Sequence, residues 1–381
     1  MPTVRAVARA VYACLTDFPS YRNYIYPVGG GSSDDMVGYA PVNLSRINVG
    51  SQIRMAELTR ALRISTFHGP FPERLVASLA KGGRRRGYML FFNYLRRREG
   101  RVLRSFRRRG QKWILDVHDI PHKQELYFGE KVREDYRAAF HAFARECDTL
   151  LFPSESLARM FSEDGDVAAE KIVVPNAANP EKFTPTPLPA RKIFTYLGGY
   201  APARGVERLV QAFHLLRTRR NDVWLWLALP DSSQLRSPIR RVAGLTFIPN
   251  ITYDDGAADL LRMSYAVVVP HDKNPYMDAA TPIKVFEAMA ACRPVVVTDC
   301  YETARIVAAE KCGVIAPCDE NGIADAMDSL ANERTEAEIM GLNGRRAVEN
   351  EHSWAHRAAA LSAALGLAAD QTHPPDVLAG T

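Results

Sequence analysis

No two of the six cysteines, at positions 14, 147, 292, 300, 312 and 318, form a Cys-x-x-Cys pair. None has the spacing of a zinc finger or ribbon, so ordinary buried thiols in a reducing compartment are expected. Long apolar runs are missing too: nothing approaches the roughly 18 consecutive apolar residues of a membrane span. The early segment VRAVARAVYACL carries two arginines where a secretory signal would be uniformly apolar, so the chain reads as cytosolic. Internal repeats and low-complexity tracts are also lacking, and so is any nucleic-acid-binding motif.

What is present is ordinary globular composition. The 381 residues are 47% hydrophobic and 24% charged, enough for large cores and for two domains rather than one. The net charge of +6 conceals a strong asymmetry. Between positions 81 and 112 thirteen basic residues face one acid, a local charge of +12, while the rest of the chain sums to −6. In a cytosolic protein such a stretch suits an anionic membrane surface, a merely solvated face or an anionic soluble partner being the alternatives; nucleic acid is disfavoured.

Apolar periodicity alternates between strand and helix in two blocks. The first holds the amphipathic helix SQIRMAELTRALR, a strand ISTFH, a helix near 72–81, and the strand YMLFFNYL. RVLRSFRRRG follows as a short helix, then the strand WILDVHD, a helical stretch over 131–145, and the strands DTLLFPS and KIVVPN. NPEKFTPTPLPAR is Pro-rich and polar, the signature of a linker. The second block opens with KIFTYLGGY and the helix GVERLVQAFHLL, whose apolar positions recur at helical period. DVWLWLAL, LTFIP, YAVVVP and RPVVVTD supply further strands, so this block reads as a doubly wound parallel sheet. Residues 15–50, with GGGSS, give no readable element.

The segment TPIKVFEAMAACRPVVVTD, residues 281–299, carries the sharpest local signal. Thr281 suits an N-cap and Pro282 a first helical position. The unit is therefore strand, loop, helix, strand, and its loop leaves the carboxyl end of a strand, where open α/β sheets bind ligands. Lys284 and Glu287, three apart, share one helix face. A solvated Lys–Glu pair is the alternative on spacing alone.

In order, DVHDIP, PNAANPEKFTP, YLGGYAPARGVERLVQAF, PIKVFEAMAACRPVVVTD and HSWAHRAAAL resemble nucleotide-sugar-dependent glycosyltransferases of the GT-B fold, closest to the family 4 group, over roughly residues 112–365. That resemblance implies two Rossmann-like α/β domains facing a cleft. Residues 1–183 would form the acceptor domain, 184–350 the donor domain, 351–370 a helix returning to the first domain, and 371–381 a flexible tail. It implies Glu287 as the acceptor of ribose hydroxyl hydrogen bonds, since a carboxylate suits a vicinal diol. The family's earlier glutamate, eight positions upstream, is Ala279 here, and Lys284 stands where an aliphatic residue is common. Arg204 falls at the basic position of the loop after the first strand of the donor domain, beside Gly198 and Gly199, and would neutralise the leaving diphosphate. A second basic residue is often found at the position of Gly199, so Arg204 and Lys284 would share that work, with Thr281 opening the donor helix. His118 and Asp119 match the motif lining the acceptor side, where a histidine positions the sugar or handles a proton and Asp119 would act as a base in an inverting reaction. Asn176 matches a hinge-facing asparagine.

The expected activity is transfer of a hexosyl or uronosyl group from a nucleoside-diphosphate sugar to a hydroxyl on a glycan, lipid-linked or cell-envelope acceptor, as in polysaccharide biosynthesis. No cofactor and no metal are expected, there being no obvious Asp-x-Asp near the cleft. The expected location is cytoplasmic, peripheral to the inner face of the plasma membrane. A GT-B-shaped sugar-nucleotide epimerase and a catalytically silent nucleotide-binding subunit are the alternatives.

Overall fold

A computed structural model of the chain describes residues 25–26, 36–40, 50–64, 66–68, 87–92, 103–105, 107, 110–128, 134–165, 167–229 and 242–367. The helix expected near 72–81, most of the basic stretch and the tail 371–381 lie outside the described residues.

Two sheets form the frame. The first has seven strands in the order β1-β3-β2-β4-β5-β6-β7. These are Ile25–Tyr26 (β1), Met36–Tyr39 (β2), Thr66–Phe67 (β3), Tyr88–Phe91 (β4), Lys112–Asp116 (β5), Thr149–Phe152 (β6) and Glu170–Val173 (β7). Every pairing is parallel except that of β1 with β3. The second has six parallel strands in the order β10-β9-β8-β11-β12-β13: Lys192–Leu197 (β8), Val223–Ala228 (β9), Leu245–Ile248 (β10), Ala266–Val269 (β11), Val295–Thr298 (β12) and Gly313–Ala316 (β13). Central strands such as AVVV and VVVT are apolar and buried along their length, as parallel strands covered on both faces must be.

Helices cover both sheets. In the first domain they are Gly50–Ala61 (α1), Pro121–Phe128 (α2), Glu134–Ala144 (α3) and Glu155–Ser162 (α4). In the second they are Val206–Arg219 (α5), Ala257–Met263 (α6), the single turn Pro275–Asp278 (α7), Ile283–Ala290 (α8), Tyr301–Glu310 (α9), Glu320–Asn332 (α10) and Arg334–Asn350 (α11). Trp354–Ala364 (α12) closes the described chain. Side-chain caps from Ser154, Asn274, Asp319 and Ser353 define several starts, each accepting from an N–H that the first turn leaves without a partner.

The two sheets are joined at the hinge. Ser353 caps α12, which packs on α1 of the first domain as expected for a returning helix. Trp354 N donates to Ala178 O at 3.2 Å, and the Tyr88 hydroxyl donates to Leu365 O at 2.8 Å. One apolar cluster runs through this junction, from Met55 and Leu58 of α1 to Phe286 of α8 and Trp354 and Leu361 of α12.

Two expectations change. The helix at 281 starts at Ile283, with Pro282 (ψ 128°) as its N-cap and no side-chain cap. Thr281 cannot cap because its hydroxyl is turned to Pro153 O and its carbonyl accepts from Asn176. The basic stretch, where described, is partly paired with acids outside it: Arg104 with Glu146, and Arg107 and Lys112 both with Asp148.

Candidate functional site

A cavity of 330 Å³ lies between the two sheets. In the second sheet the chain winds outward in one direction from β8 and in the other from β11, and these two strands are neighbours. Ligands of open α/β sheets bind at the carboxyl ends flanking such a reversal. Gly198 follows β8 there and His271 follows β11, and both line the cavity. All nine residues singled out in the sequence, His118, Asp119, Asn176, Gly198, Gly199, Arg204, Thr281, Lys284 and Glu287, line it too.

The second-domain wall is short of negative charge where it is rich in positive charge. Lys284, in the first turn of α8, has its Nζ 4.4 Å from the centroid of the Tyr196 ring. That Nζ is sealed from solvent and has no hydrogen-bond partner. Burial and the nearby Arg204 push the amine well below its ordinary value, with Glu287 pulling only weakly the other way. Gly198 makes room for it: a Cβ there would stand 2.5 Å from Lys284 Nζ, and its φ of +148° also suits only glycine. Arg204 ends a 3-10 turn, Pro202–Arg204, which stops at Gly205 with φ 65°. Gly205 is required there because a Cβ would run into the carbonyl of Pro270, 1.8 Å away. Gly199 is open, with nothing within 4 Å of a would-be Cβ, and its carbonyl accepts from the Tyr196 hydroxyl at 2.7 Å.

Glu287 sits one turn deeper, 3% exposed, with Oε1 unpartnered. Burial raises its carboxyl to about 7, Lys284 and Lys182 opposing and Glu57 adding to the rise. A carboxyl poised there can accept from a diol as an anion at little further cost. Ala279, where the family glutamate would stand, is wholly buried, and its carbonyl accepts from Ser154.

On the first-domain wall, His118 and Asp119 leave the carboxyl end of β5. Asp116, the last residue of that strand, shares a side with His118: His118 Nδ1 lies 3.2 Å from Asp116 Oδ2. Burial presses the imidazole toward its neutral form, but the hydrogen bond to Asp116 and the charges of Asp119 and Asp116 outweigh it, so the pKa is raised. The ring nitrogen left over, Nε2, stands 3.9 Å from Asp119. Asp119 accepts from Gln124 at 2.8 Å and from the Tyr276 hydroxyl of the second domain at 2.9 Å, and keeps 42% of its side chain exposed.

Sequence reasoning missed three members of the site. Arg54, 1% exposed, grips Asp116 with both Nε and Nη2, at 2.7–3.1 Å, and its Nη1 donates to Val174 O and Asn176 Oδ1. Asn176 then donates to Thr281 O at 2.7 Å, so a buried polar chain runs from His118 through Asp116, Arg54 and Asn176 into the second domain. Tyr276 is the second. His271 is the third: it is 5% exposed, neither ring nitrogen has a hydrogen-bond partner, and burial, Lys284 and Arg204 hold its pKa well below the ordinary value. A neutral imidazole flanked by two cationic side chains is suited to donate a hydrogen bond to an anion. A lone histidine in a loop gave no signal in the sequence.

Residues 191–333 match the family model described as "Glycosyl transferases group 1". No curated protein matches the chain. Among solved structures, the sucrose-phosphate synthase of Thermosynechococcus elongatus is similar at 19% identity and TM-score 0.69, over 87% of this chain and 98% of that one. HepE of Anabaena in complex with UDP-glucose is similar at 12% identity and TM-score 0.69, over 87% and 99%. WaaG, a glycosyltransferase involved in lipopolysaccharide biosynthesis, is similar at 13% identity and TM-score 0.60, over 86% and 99%.

Proposed function

We propose that this chain, a glycosyltransferase of the GT-B fold with its group 1 domain at residues 191–333, moves a hexosyl or uronosyl group from a nucleoside-diphosphate sugar to a hydroxyl of a glycan, lipid-linked or cell-envelope acceptor. The observation that carries the reading is the buried, unpartnered Lys284 Nζ beside Arg204 at the uncapped start of α8. Such a place is unfavourable for the protein alone and favourable once a diphosphate supplies the missing charge. In this reading Arg204 and Lys284 hold the diphosphate without a metal and stabilise it as a leaving group, and Glu287 takes the ribose. Asp119, the more exposed acid, receives the acceptor proton if the reaction inverts, and His118, fixed by Asp116, positions the sugar. The similarity to HepE in complex with UDP-glucose supports testing uridine nucleotides first. Among the described residues Asp119 and Glu287 are the acids that line the cleft, which speaks against a carboxylate-rich epimerase pocket. Release of nucleoside diphosphate from a sugar nucleotide, slow alone and faster with an acceptor, tests the reading; binding without any turnover would mark a silent subunit.

Lys284 and Glu287 are expected to separate in binding. Lys284→Ala weakens nucleoside diphosphate much more than nucleoside, because it removes a charge facing phosphate. Glu287→Ala weakens both, and a 2′-deoxyribose donor then loses little further. Calorimetric titration of the three proteins distinguishes the effects; unchanged affinities in both variants would mean that the donor site lies elsewhere. Glu287 also sets a pH dependence. Its folded pKa of about 7 lies above the ordinary 4.5, so its contribution to stability is full below 4.5 and is lost as pH rises through about 7. Nucleoside affinity runs the other way, rising with pH through about 7 as the carboxylate forms. Glu287→Gln should remove that inflection, and an inflection that persists would place it on another group.

Location at the cytosolic face of an anionic membrane is part of the same proposal, supported by the +12 stretch at 81–112. Among the described residues no helix is long and apolar enough to cross a membrane. With Arg104, Arg107 and Lys112 already paired, the docking charge would rest on the remaining ten basic residues. Flotation with anionic vesicles at low salt should exceed that with neutral vesicles and fall as salt rises. Equal binding to both kinds, or to neither, counts against it.

A further inference from the structure

Outside the cleft, three side chains from separate elements converge in the first domain: His122 of α2, His141 of α3 and Asp164, two residues beyond α4. His122 Nε2 lies 2.6 Å and His141 Nε2 3.8 Å from the same oxygen, Asp164 Oδ2, and the three ligand atoms all fall within 4.8 Å of one another. None of the three lines the cleft.

The histidines are not satisfied by the protein. His141 is 5% exposed, and neither of its ring nitrogens has a hydrogen-bond partner; His122 Nδ1 has none either. Their rings lie 5.5 Å apart, and Phe161 stacks on His141 at 5.1 Å, which fixes the imidazole in place. The other carboxylate oxygen is already occupied: Asp164 Oδ1 receives Arg137 at 2.8 Å and stands 3.4 Å from Lys123. These partners orient the carboxylate so that Oδ2 is the atom presented to the histidines.

We propose that His122, His141 and Asp164 form a binding site for one divalent metal ion of the zinc class. Two imidazoles and a carboxylate oxygen are a donor set that zinc takes in tetrahedral sites, with bonds of about 2.0–2.1 Å that leave ligand atoms about 3.3 Å apart. The distances of 2.6 and 3.8 Å to Oδ2 lie on either side of that spacing, within reach of side-chain adjustment. Two imidazole donors favour a metal of the zinc class over magnesium or calcium, which prefer all-oxygen sites. His122 and Asp164 expose 10% and 7% of their side chains, enough for entry from solvent.

The ion would tie together α2, α3 and the end of α4. Helix α2 also carries Gln124, which holds Asp119, and Tyr127, which stacks on Tyr276 of the second domain. The site therefore secures the wall on which Asp119 stands, rather than taking part in the transfer.

The test uses untagged full-length protein stripped with a chelator. Zinc binding is followed by calorimetry, and cobalt(II) by its visible absorption. One equivalent of zinc should bind, magnesium should not, and cobalt should give the intense bands of a tetrahedral nitrogen-ligated ion. His141→Phe, which keeps the stacking on Phe161, and His122→Gln, which keeps a hydrogen bond to Asp164, should each weaken zinc by at least about tenfold. They should also abolish the zinc-induced rise in melting temperature. If His141→Phe does not fold, His122→Gln decides the matter alone. Absence of zinc binding in the wild type, or undiminished binding in the folded variants, would overturn the proposal. So would a single site that follows His352, where Glu310 and Glu351 also gather.

Discussion

Turnover of Arg204→Ala is expected to fall by about two to three orders of magnitude, the scale seen when one group stabilising developing charge is removed. The backbone of the residue is held at the end of the turn Pro202–Arg204, with Gly205 tight against Pro270, so the side chain starts from a fixed point on the cleft wall. In the proposed reaction negative charge accumulates on the diphosphate as the glycosidic bond breaks, and Arg204 would face that charge from the wall of the cleft. Lys284 remains in the variant and keeps ground-state affinity, so the loss should appear mainly in kcat. Arg204→Lys should recover part of it, a point charge replacing a planar one. Steady-state release of nucleoside diphosphate measures all three proteins, and full activity in Arg204→Ala would remove the residue from the mechanism.

The second large effect concerns stability. Arg54→Met should cost about 3–5 kcal/mol, because it strands a buried carboxylate rather than merely deleting a contact. Arg54 and Asp116 are 1% and 0% exposed in their side chains, and the same guanidinium also serves Val174 O and Asn176. Replacing both partners, as Arg54→Met with Asp116→Leu, should cost markedly less than the sum of the single changes. The pH dependence has a definite sign. Burial alone would raise the Asp116 carboxyl, but Arg54 and His118 together bring it down from 3.8 to about 2. Its contribution is therefore present above 3.8 and is lost as pH falls toward about 2. Urea unfolding across that range should show the acid limb shifting upward in Arg54→Met. A loss under about 1 kcal/mol, the size of an ordinary surface change, would mean that the pair is not the anchor described.

How much of this was legible in advance depended on whether a signal was local. The second block was readable because each of its main strands is a continuous apolar run and α5 and α8 keep helical period; Lys284 and Glu287 then fell on one face as their spacing requires. Strand β13 escaped because it is short and opens with glycine, and of Gly313 to Ala316 only Ala316 is buried. Strand β2, MVGY, hid within a segment with no period to detect. Arg54 was invisible for another reason: on an amphipathic helix an arginine reads as a solvent-facing residue, and its partner Asp116 is 62 positions away. The Thr281 cap failed through a contact of the same long-range kind, the carbonyl of Pro153. His118, Asp119, Arg204 and Asn176 were reached through resemblance, and the structure brings them around one cleft; the hydrogen-bonded chain that connects His118 to Asn176 through Asp116 and Arg54 had no trace in spacing or composition.

The close approach of Gly198 and Lys284 ties the choice of residue at one position to the other. A side chain at 198 would occupy the space that Lys284 Nζ now fills, 2.5 Å from the first carbon, and the backbone there disfavours any residue but glycine. A residue other than glycine at 198 would have to hold a φ of +148° and push aside the lysine's amino group, which ends a flexible chain and can swing away. That swing would carry the amino group off the Tyr196 ring, so the cost of filling position 198 would fall on the place of a charge as well as on the backbone. The two positions, 86 residues apart in the chain, are thus coupled: a chain that relies on the lysine has reason to keep the glycine.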